Sequence, residues 1–362
     1  MKIIIYYENQ IQSWSRFPDK LNLSREGYHT MFLYTVPFKG AVVEGFNYVC
    51  SSLEEQDIKK ILSNYSDITV ILFSSRLIDI LVHKKLSTLV KIDRSCVIQH
   101  GIYVEKLSRT NLVSSIFTLR IRLFFYLKEL LRSDLPKHRL LKVLYDVYFK
   151  ENKFLCDQNI WNYLETPKDV FCFSENGEHH FKKFFGDNLT VHKGYNLDLD
   201  LLLGDTVECE DKEVVYIAQT LVEDGRYSKR GFEKMMADIA DIVHHSGFNL
   251  SIKLHPRSNI ELYKNVSFKN LYHTWPICRR YIGHYSAINE LIDSSGGKLF
   301  IYELKEHVIP KDFYVYGDVA GGAERLSRWL ISSVDSNILN AKNQISVRDK
   351  FIEKLKIFVE DI

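Results

Sequence analysis

The sequence predicts an α/β protein built from two doubly wound domains, on three observations. Short apolar, β-branched runs recur between stretches with helical spacing, the pattern of βαβ units and of parallel sheets covered on both faces. That alternation stops once, around Asn188–Asp211, and then starts again. The chain has 362 residues, enough for two domains of roughly 100–200 residues each.

The first series opens with the strand Ile3–Tyr7 and continues with Met31–Val36, Asp67–Phe73, Ser95–Gln99 and Val170–Phe173. Helices are expected over Leu53–Tyr65 and Arg76–Leu89. The stretch Asn188–Asp211, with Asp198-Leu199-Asp200 and the acidic run Glu208–Asp211, reads as the passage between domains. The second series starts at Val214–Ile217, passes through a helix over Lys229–His245 and reaches a strand over Leu250–Leu254. Strands Arg280–Ile282 and Leu299–Tyr302 then flank a helix over Ala287–Asp293, and helices over Glu324–Val334 and Val347–Val359 finish the chain. The expected boundaries are 1–195 for the first domain, 212–335 for the second, and 336–362 for a final helix that packs back on the first. Two such domains place a ligand in a cleft facing the carboxyl ends of their strands. Chemistry is therefore expected in the loops after Gln99, Phe173, Ile217, Leu254 and Ile282.

Composition excludes several classes. Hydrophobic residues are 46% and charged residues 26%, which is globular and neither disordered nor fibrous. Lys and Arg number 48 against 46 Asp and Glu, a net of +2, so no nucleic-acid partner is expected from charge. The six cysteines form no Cys-x-x-Cys pair and read as reduced, buried thiols. Ile3–Tyr7 is too short for a signal peptide, and no other run reaches the about 18 apolar residues of a membrane span, so a soluble, cytoplasmic chain is expected. Residues 101–150 are an exception to the charge balance, with ten Lys/Arg against four Asp/Glu. In 115–150, Arg120, Arg122, Lys128 and Arg132 interleave with Phe124, Phe125, Tyr126 and Leu130. That segment reads either as an amphipathic helix on the inner face of the cytoplasmic membrane or as a core helix with a solvated basic face.

Four short motifs carry chemistry. Lys253-Leu254-His255-Pro256-Arg257 closes a strand, so Lys253, His255 and Arg257 come together where Pro256 stops it. Three such donors suit a phosphate, although the same residues also make an ordinary solvated loop. Tyr285-Ser286 follows the strand Arg280–Ile282. Ser286 is a good helix N-cap, and a helix N-terminus is an anion site, unless the serine serves only its own helix. Glu290 is placed either for ribose hydroxyls or for solvent. Gln99-His100-Gly101 ends an apolar strand. A histidine with a pKa of about 6.5 can take a proton from a hydroxyl at neutral pH, and an isolated one is as readily structural. Glu178-His179-His180 is discounted as a metal site because adjacent residues on a helix face different ways, and no metal ligands are expected. The absence of Gly-x-Gly-x-x-Gly and Walker-type loops argues against a dinucleotide oxidoreductase or a P-loop kinase.

In order and context these motifs resemble the bacterial two-domain glycosyltransferases of the GT-B fold. The likeness is greatest to the sialyltransferase and polysialyltransferase group and the related capsule and teichoic-acid transferases that use CDP-polyol or Kdo-type donors. In those families a His-Pro motif follows a strand of the C-terminal domain and a Ser motif opens a later helix; here these are His255-Pro256 and Tyr285-Ser286. Tyr216–Thr220 resembles the first strand and donor loop of that domain. Val170–Gly186 resembles the last strand and helix of the N-terminal domain, and Val191–Tyr195 the start of the linker.

The resemblance implies two Rossmann-like domains facing a central cleft, the first binding an acceptor and the second a nucleotide donor. It implies inverting transfer of a sugar, best a nonulosonic acid such as sialic acid or Kdo from a CMP-sugar, to a hydroxyl of a surface glycan or glycolipid. No metal or other cofactor is implied. His100 would be the general base. Gln219 and Thr220 would line the donor loop, while Lys253, His255, Pro256, Arg257, Tyr285 and Ser286 would hold the donor phosphate and Glu290 the ribose. Sialyltransferases carry an acidic residue before glycine as the base; Gln99-His100-Gly101 is closer to the His-Gly element of the polyol-phosphate polymerases. The alternatives are therefore a CDP-polyol phosphotransferase, or a non-catalytic nucleotide- or glycan-binding partner in an export complex.

Overall fold

The computed structural model describes residues 1–10, 27–36, 45–99, 128, 131, 141, 166–186, 188–196, 199, 205–223, 225, 227–255, 258–284, 286, 288–289, 292, 296–304, 314, 317–332 and 342–360. These fall into two compact units. One runs to Tyr195 and takes in the C-terminal helix from Val347; the other lies between them.

The first unit contains β1 (Lys2–Gln10), β2 (Tyr28–Val36), β3 (Tyr48–Ser51), α1 (Glu55–Leu62), β4 (Asp67–Leu72), α2 (Leu77–Leu89), β5 (Arg94–Ile98), β6 (Asp169–Cys172), α3 (Glu175–Phe185) and β7 (Thr190–Lys193). All seven strands are parallel, in the order β3-β2-β1-β4-β5-β6-β7. The run Ile3–Tyr7 is buried throughout because both faces of β1 are covered. Ile3, Ile5 and Tyr7 join a core with Ile58 and Leu62 of α1 and much of α2. The opposite-facing Tyr6 stacks on Phe73, with ring centres 6.3 Å apart.

The second unit contains β8 (Thr206–Glu208), β9 (Glu213–Ile217), α4 (Lys229–His245), β10 (Asn249–Lys253), β11 (Leu271–Tyr272), β12 (Trp275–Ile277), β13 (Arg280–Gly283), β14 (Lys298–Tyr302), β15 (Val319–Gly321) and α5 (Ala323–Ile331). Its main sheet is again parallel, ordered β11-β10-β9-β13-β14-β15, with β8 and β12 forming a separate two-stranded ladder. The apolar stripe of α4 (Phe232, Met236, Ile239, Val243) is buried. The last helix, α6 (Lys342–Glu360), returns to the first unit. Its Phe351 lies 5.9 Å from Phe171 of β6 and stacks on Tyr195 at 6.1 Å. Arg94 of β5 donates to the Val359 carbonyl at 3.0 Å.

The stretch Asn188–Asp211 takes in the change from the first unit to the second, at Tyr195–Asn196, together with two short strands that its sequence does not announce. Thr190–Lys193 is β7 and pairs with β6, and Thr206–Glu208 is β8 and pairs with β12. Val191–Tyr195 is thus an edge strand and its exit, and the first unit ends with it at Tyr195. The reason β7 goes unannounced is local: it is short, exposed at both ends and only half-buried between, so it lacks the apolar run that marks an inner strand. The short strands β3, β11 and β15 escape the pattern for the same reason.

Candidate functional site

In the second unit β9 lies between β10 and β13, where the strand order reverses. Doubly wound sheets bind ligands at that point, outside the carboxyl ends of the strands. Beyond β9, the Ala218 N–H donates to the Lys253 carbonyl at 2.9 Å and ties the first loop to the second. The Leu221 N–H turns back to the Gln219 carbonyl at 2.8 Å. The Gln219 side chain is 8% exposed, and neither its Nε2 nor its Oε1 has a hydrogen-bond partner among the described residues. An unpaired buried polar group costs about 1–3 kcal/mol, which the fold itself does not recover. Thr220 is buried next to it.

Lys253 is buried at the end of β10. Its Nζ donates to the Leu254 carbonyl at 2.7 Å, and burial holds its pKa below the ordinary lysine value. His255 follows, half-buried, its carbonyl accepting from the Ser258 N–H at 2.9 Å. Pro256 and Arg257 lie outside the described residues.

The third loop leaves β13 at Gly283, where a Cβ would stand 3.5 Å from Asn289 Oδ1 and 4.0 Å from the Ile217 side chain. The next residue, His284, is fully buried. Its Nδ1 is 2.6 Å from the Tyr302 carbonyl, and its Nε2 is 2.9 Å from the Tyr216 hydroxyl. A carbonyl only accepts, so Nδ1 carries the proton and Nε2 accepts from Tyr216. Asn289 Nδ2 donates to the His284 carbonyl at 3.3 Å. Ser286 caps the following turn, with its carbonyl accepting from the Asn289 N–H at 3.1 Å and its Oγ 3.4 Å from the Ile288 N–H. Tyr285 and Glu290 lie outside the described residues. Sequence reasoning missed His284, which reads as one more loop residue.

In the first unit His100 lies outside the described residues, but the residue before it does not. Gln99 Oε1 accepts from the Phe173 and Ser174 N–H groups at 3.0 and 3.3 Å, and its Nε2 donates to Ser174 Oγ at 2.8 Å. Ser174 caps α3 by accepting from the Gly177 N–H at 3.1 Å. Gln99 thus fastens the end of β5, one residue before His100, to the start of α3. On α3, His179 is exposed while His180 is buried with its Nε2 2.9 Å from Ser75 Oγ. Burial, with Lys183 and His179 adding to it, lowers the His180 pKa to about 3. A second missed group is Glu8, a buried carboxyl at the end of β1, whose Oε1 is 3.5 Å from Arg76 Nη2.

Residues 46–273 match the Alpha-2,8-polysialyltransferase (POLYST) family. That is more than half of the chain. The chain belongs to this family. It is a glycosyltransferase, and its two parallel, doubly wound units are the Rossmann-like pair of the GT-B fold. Among solved structures it is similar to a wall teichoic acid polymerase, with 10% identity over 99% of this chain and 83% of that one and a TM-score of 0.47. It is also similar to a calicheamicin glycosyltransferase, with 12% identity over 99% and 98% of the two chains and a TM-score of 0.46. A third is an alpha,alpha-trehalose-phosphate synthase (UDP-forming) from Burkholderia vietnamiensis, with 9% identity over 100% of both chains and a TM-score of 0.44. No curated protein matches the sequence.

The matched part of the transferase takes in Gln219, Lys253 and His255, whereas Ser286 lies beyond it. The fold brings Gln219 and Lys253 to adjoining loops through the Ala218–Lys253 bond, and sets Ser286 at the end of the strand on the other side of β9. The basic segment 115–150 lies outside the described residues except at Lys128, Leu131 and Leu141. No helix among the described residues is long and apolar enough to cross a membrane.

Proposed function

We propose that this glycosyltransferase moves a nonulosonic acid, sialic acid or a relative such as Kdo, from a CMP-sugar to a glycan hydroxyl in bacterial surface polysaccharide or lipooligosaccharide synthesis, with inversion. The observation that carries the donor side is the uncommitted, buried Gln219 amide at the reversal point of the second sheet. The residue before it, Ala218, is tied to the Lys253 carbonyl, and the Ser286 turn follows the adjacent strand β13. An amide can both donate to and accept from a nucleotide without repelling its charge. Lys253, His255, Arg257 and the Ser286 N-terminus would steady the negative charge that grows on the leaving phosphate, Thr220 and Tyr285 would line the pocket, and Glu290 would hold the ribose. His100 would take the acceptor proton. These residues supply the charge a divalent ion would otherwise bring, so transfer is expected to survive chelation by EDTA.

Thermal unfolding with CMP, CDP, UDP, GDP and ADP tests the donor. A ligand at about 100 times its dissociation constant stabilises by about 2.7 kcal/mol, and the largest shift is expected with CMP. A shift led by UDP or GDP overturns the donor. The His100-Gly101 element favours a second reading, polyol-phosphate transfer from a CDP-polyol, for which CDP would lead. His100→Ala is expected to bind CMP normally and to lose transfer about 100-fold or more. Full transfer in that variant would remove His100 as the base. Segment 115–150 would hold the enzyme at the anionic inner face of the membrane, which vesicle co-sedimentation at low and high salt checks.

A further inference from the structure

We propose that the carboxyl edge of the first unit carries an acceptor subsite in which Glu8 receives a sugar hydroxyl, a proposal that rests on the transferase reading above. Glu8 stands at the end of β1, the strand at which the order of the first sheet reverses. It pairs in register with Tyr34 of β2 and lies one residue beyond the last β1–β4 pair, Tyr7–Leu72. Its ladder with β2 continues to Gln10–Val36, while its side chain meets Arg76, the residue that opens α2.

Its side chain is 4% exposed. Oε1 is 3.5 Å from Arg76 Nη2, and Oε2 is buried with no hydrogen-bond partner among the described residues. Arg76 is committed elsewhere: its Nε and Nη2 donate to Asp79 at 3.0 and 3.2 Å. Glu8 therefore leans on a guanidinium that another carboxylate already neutralises. A buried carboxylate with a bare oxygen is costly, and the packing of β1 is completed without it by Tyr6 and Tyr7.

The bare oxygen can accept one charge-assisted hydrogen bond. A neutral hydroxyl supplies that bond without bringing charge of its own, whereas a phosphate would be repelled. The nucleotide is thus turned away from this edge, and the glycan is matched to it. Arg76 and Asp79 from α2, Tyr34 opposite on β2 and Tyr7 on the same strand are the charged and titratable neighbours. Burial raises the carboxyl to about 7 against the pull of Arg76, so the hydroxyl-accepting form fills as the pH passes neutrality.

An array of neutral and sialylated oligosaccharides, read with the full chain at about pH 8 and about pH 5.5, tests the subsite, with CMP-induced thermal shifts measured in parallel. Wild type is expected to bind a subset of glycans about tenfold more weakly at the lower pH, and Glu8→Gln about tenfold more weakly at the higher pH with little pH dependence. CMP shifts should be the same in both. A wild type that binds no glycan, or a Glu8→Gln variant that keeps wild-type binding and pH dependence, overturns the subsite. Failure of the wild-type chain to respond to any nucleotide would instead strike at the transferase reading. Circular dichroism checks folding of the variant. Should it not fold, equal wild-type binding at the two pH values overturns the proposal and the expected difference upholds it.

Discussion

The two units share a plan and differ in one charge. In each, the first strand of the main sheet, β1 or β9, lies where the strand order reverses, and within two residues of its carboxyl end is a buried polar side chain with an atom that has no partner among the described residues. In the first unit that side chain is the Glu8 carboxyl, beside an Arg76–Asp79 pair that has little charge to spare. In the second it is the neutral Gln219 amide, beside the loop of Lys253 and His255. Equal topology therefore leaves the division of labour to side-chain charge. On the proposed assignment, a phosphate would be tolerated at one reversal point and repelled at the other.

Replacing Glu8 gives the largest expected effect on stability. Its carboxyl is raised from 4.5 to about 7, chiefly by burial. Between those values the folded protein keeps a proton that the unfolded chain has lost, so stability falls as pH rises through the window. At about 1.4 kcal/mol per pH unit, roughly 3 kcal/mol is withdrawn once the pH exceeds the folded value. Glu8→Gln is expected to raise Tm by several degrees at about pH 8 and to change it little at about pH 4. No gain at the higher pH would mean that Oε2 has a partner that glutamine cannot replace, and the contrast between the units would weaken. A gain accompanied by lost glycan binding is the expected trade of stability for function.

Gln219→Glu makes the second reversal point resemble the first. Two unit charges about 6 Å apart at an effective dielectric of about 20 repel by about 2–3 kcal/mol, which is about 100-fold in affinity. CMP binding, followed by calorimetry, should weaken by that order in Gln219→Glu and stay unchanged in Glu8→Gln. Equal CMP affinity in wild type and Gln219→Glu would remove Gln219 from the donor site.

The helix starts sharpen the same comparison. Ser174 of α3 and Ser228 of α4 each accept from the N–H of a glycine three residues on, Gly177 and Gly231, at 3.1 Å. A Cβ on Gly177 would lie 2.0 Å from Gln99 Oε1, an atom held by two N–H groups, whereas a Cβ on Gly231 meets Ser228 Oγ at 2.8 Å and Tyr227 at 3.2 Å. Gly177→Ala is expected to cost about 2 kcal/mol of stability by overpacking, and to lower transfer as well if His100 is the base, because Gln99 holds the end of the strand that precedes it. Gly231→Ala should cost less, and chemical denaturation of both variants ranks them. The reverse ranking would show that Gln99 gives way easily and does not anchor that strand end.

These elements also mark what the sequence makes legible. Inner strands such as Ile3–Tyr7 and Val214–Ile217 announce themselves because burial on both faces demands unbroken apolar runs. Edge strands of three or four residues, β7 and β8 among them, demand nothing of the kind. The loop motifs around Gln219, Lys253 and Ser286 are legible because a strand end followed by turn chemistry is a local pattern. Glu8 is not, since a glutamate at the close of Lys2–Gln10 looks like a strand running out into solvent. The charges that act on it, Arg76 and Asp79, are distant in sequence. Gln99 is likewise read as a companion of His100, because its hydrogen bonds reach residues 173 and 174.

The smallest effect expected here concerns His284, whose ring bridges β9 and β14 behind the Ser286 turn. Tyr216→Phe removes the donor to Nε2, at about 1 kcal/mol. The Nδ1 bond goes to the Tyr302 backbone carbonyl, so Tyr302→Phe leaves it intact. If the ring positions the loop, Tyr216→Phe should weaken CMP binding a few-fold along with its loss of stability, because the His284 carbonyl holds Asn289 in the turn that Ser286 opens. Tyr302→Phe should leave CMP affinity unaltered. A Tyr216→Phe variant that loses stability and keeps full CMP affinity would reduce His284 to a cross-strand strut, and the second unit would then depend on its loops alone.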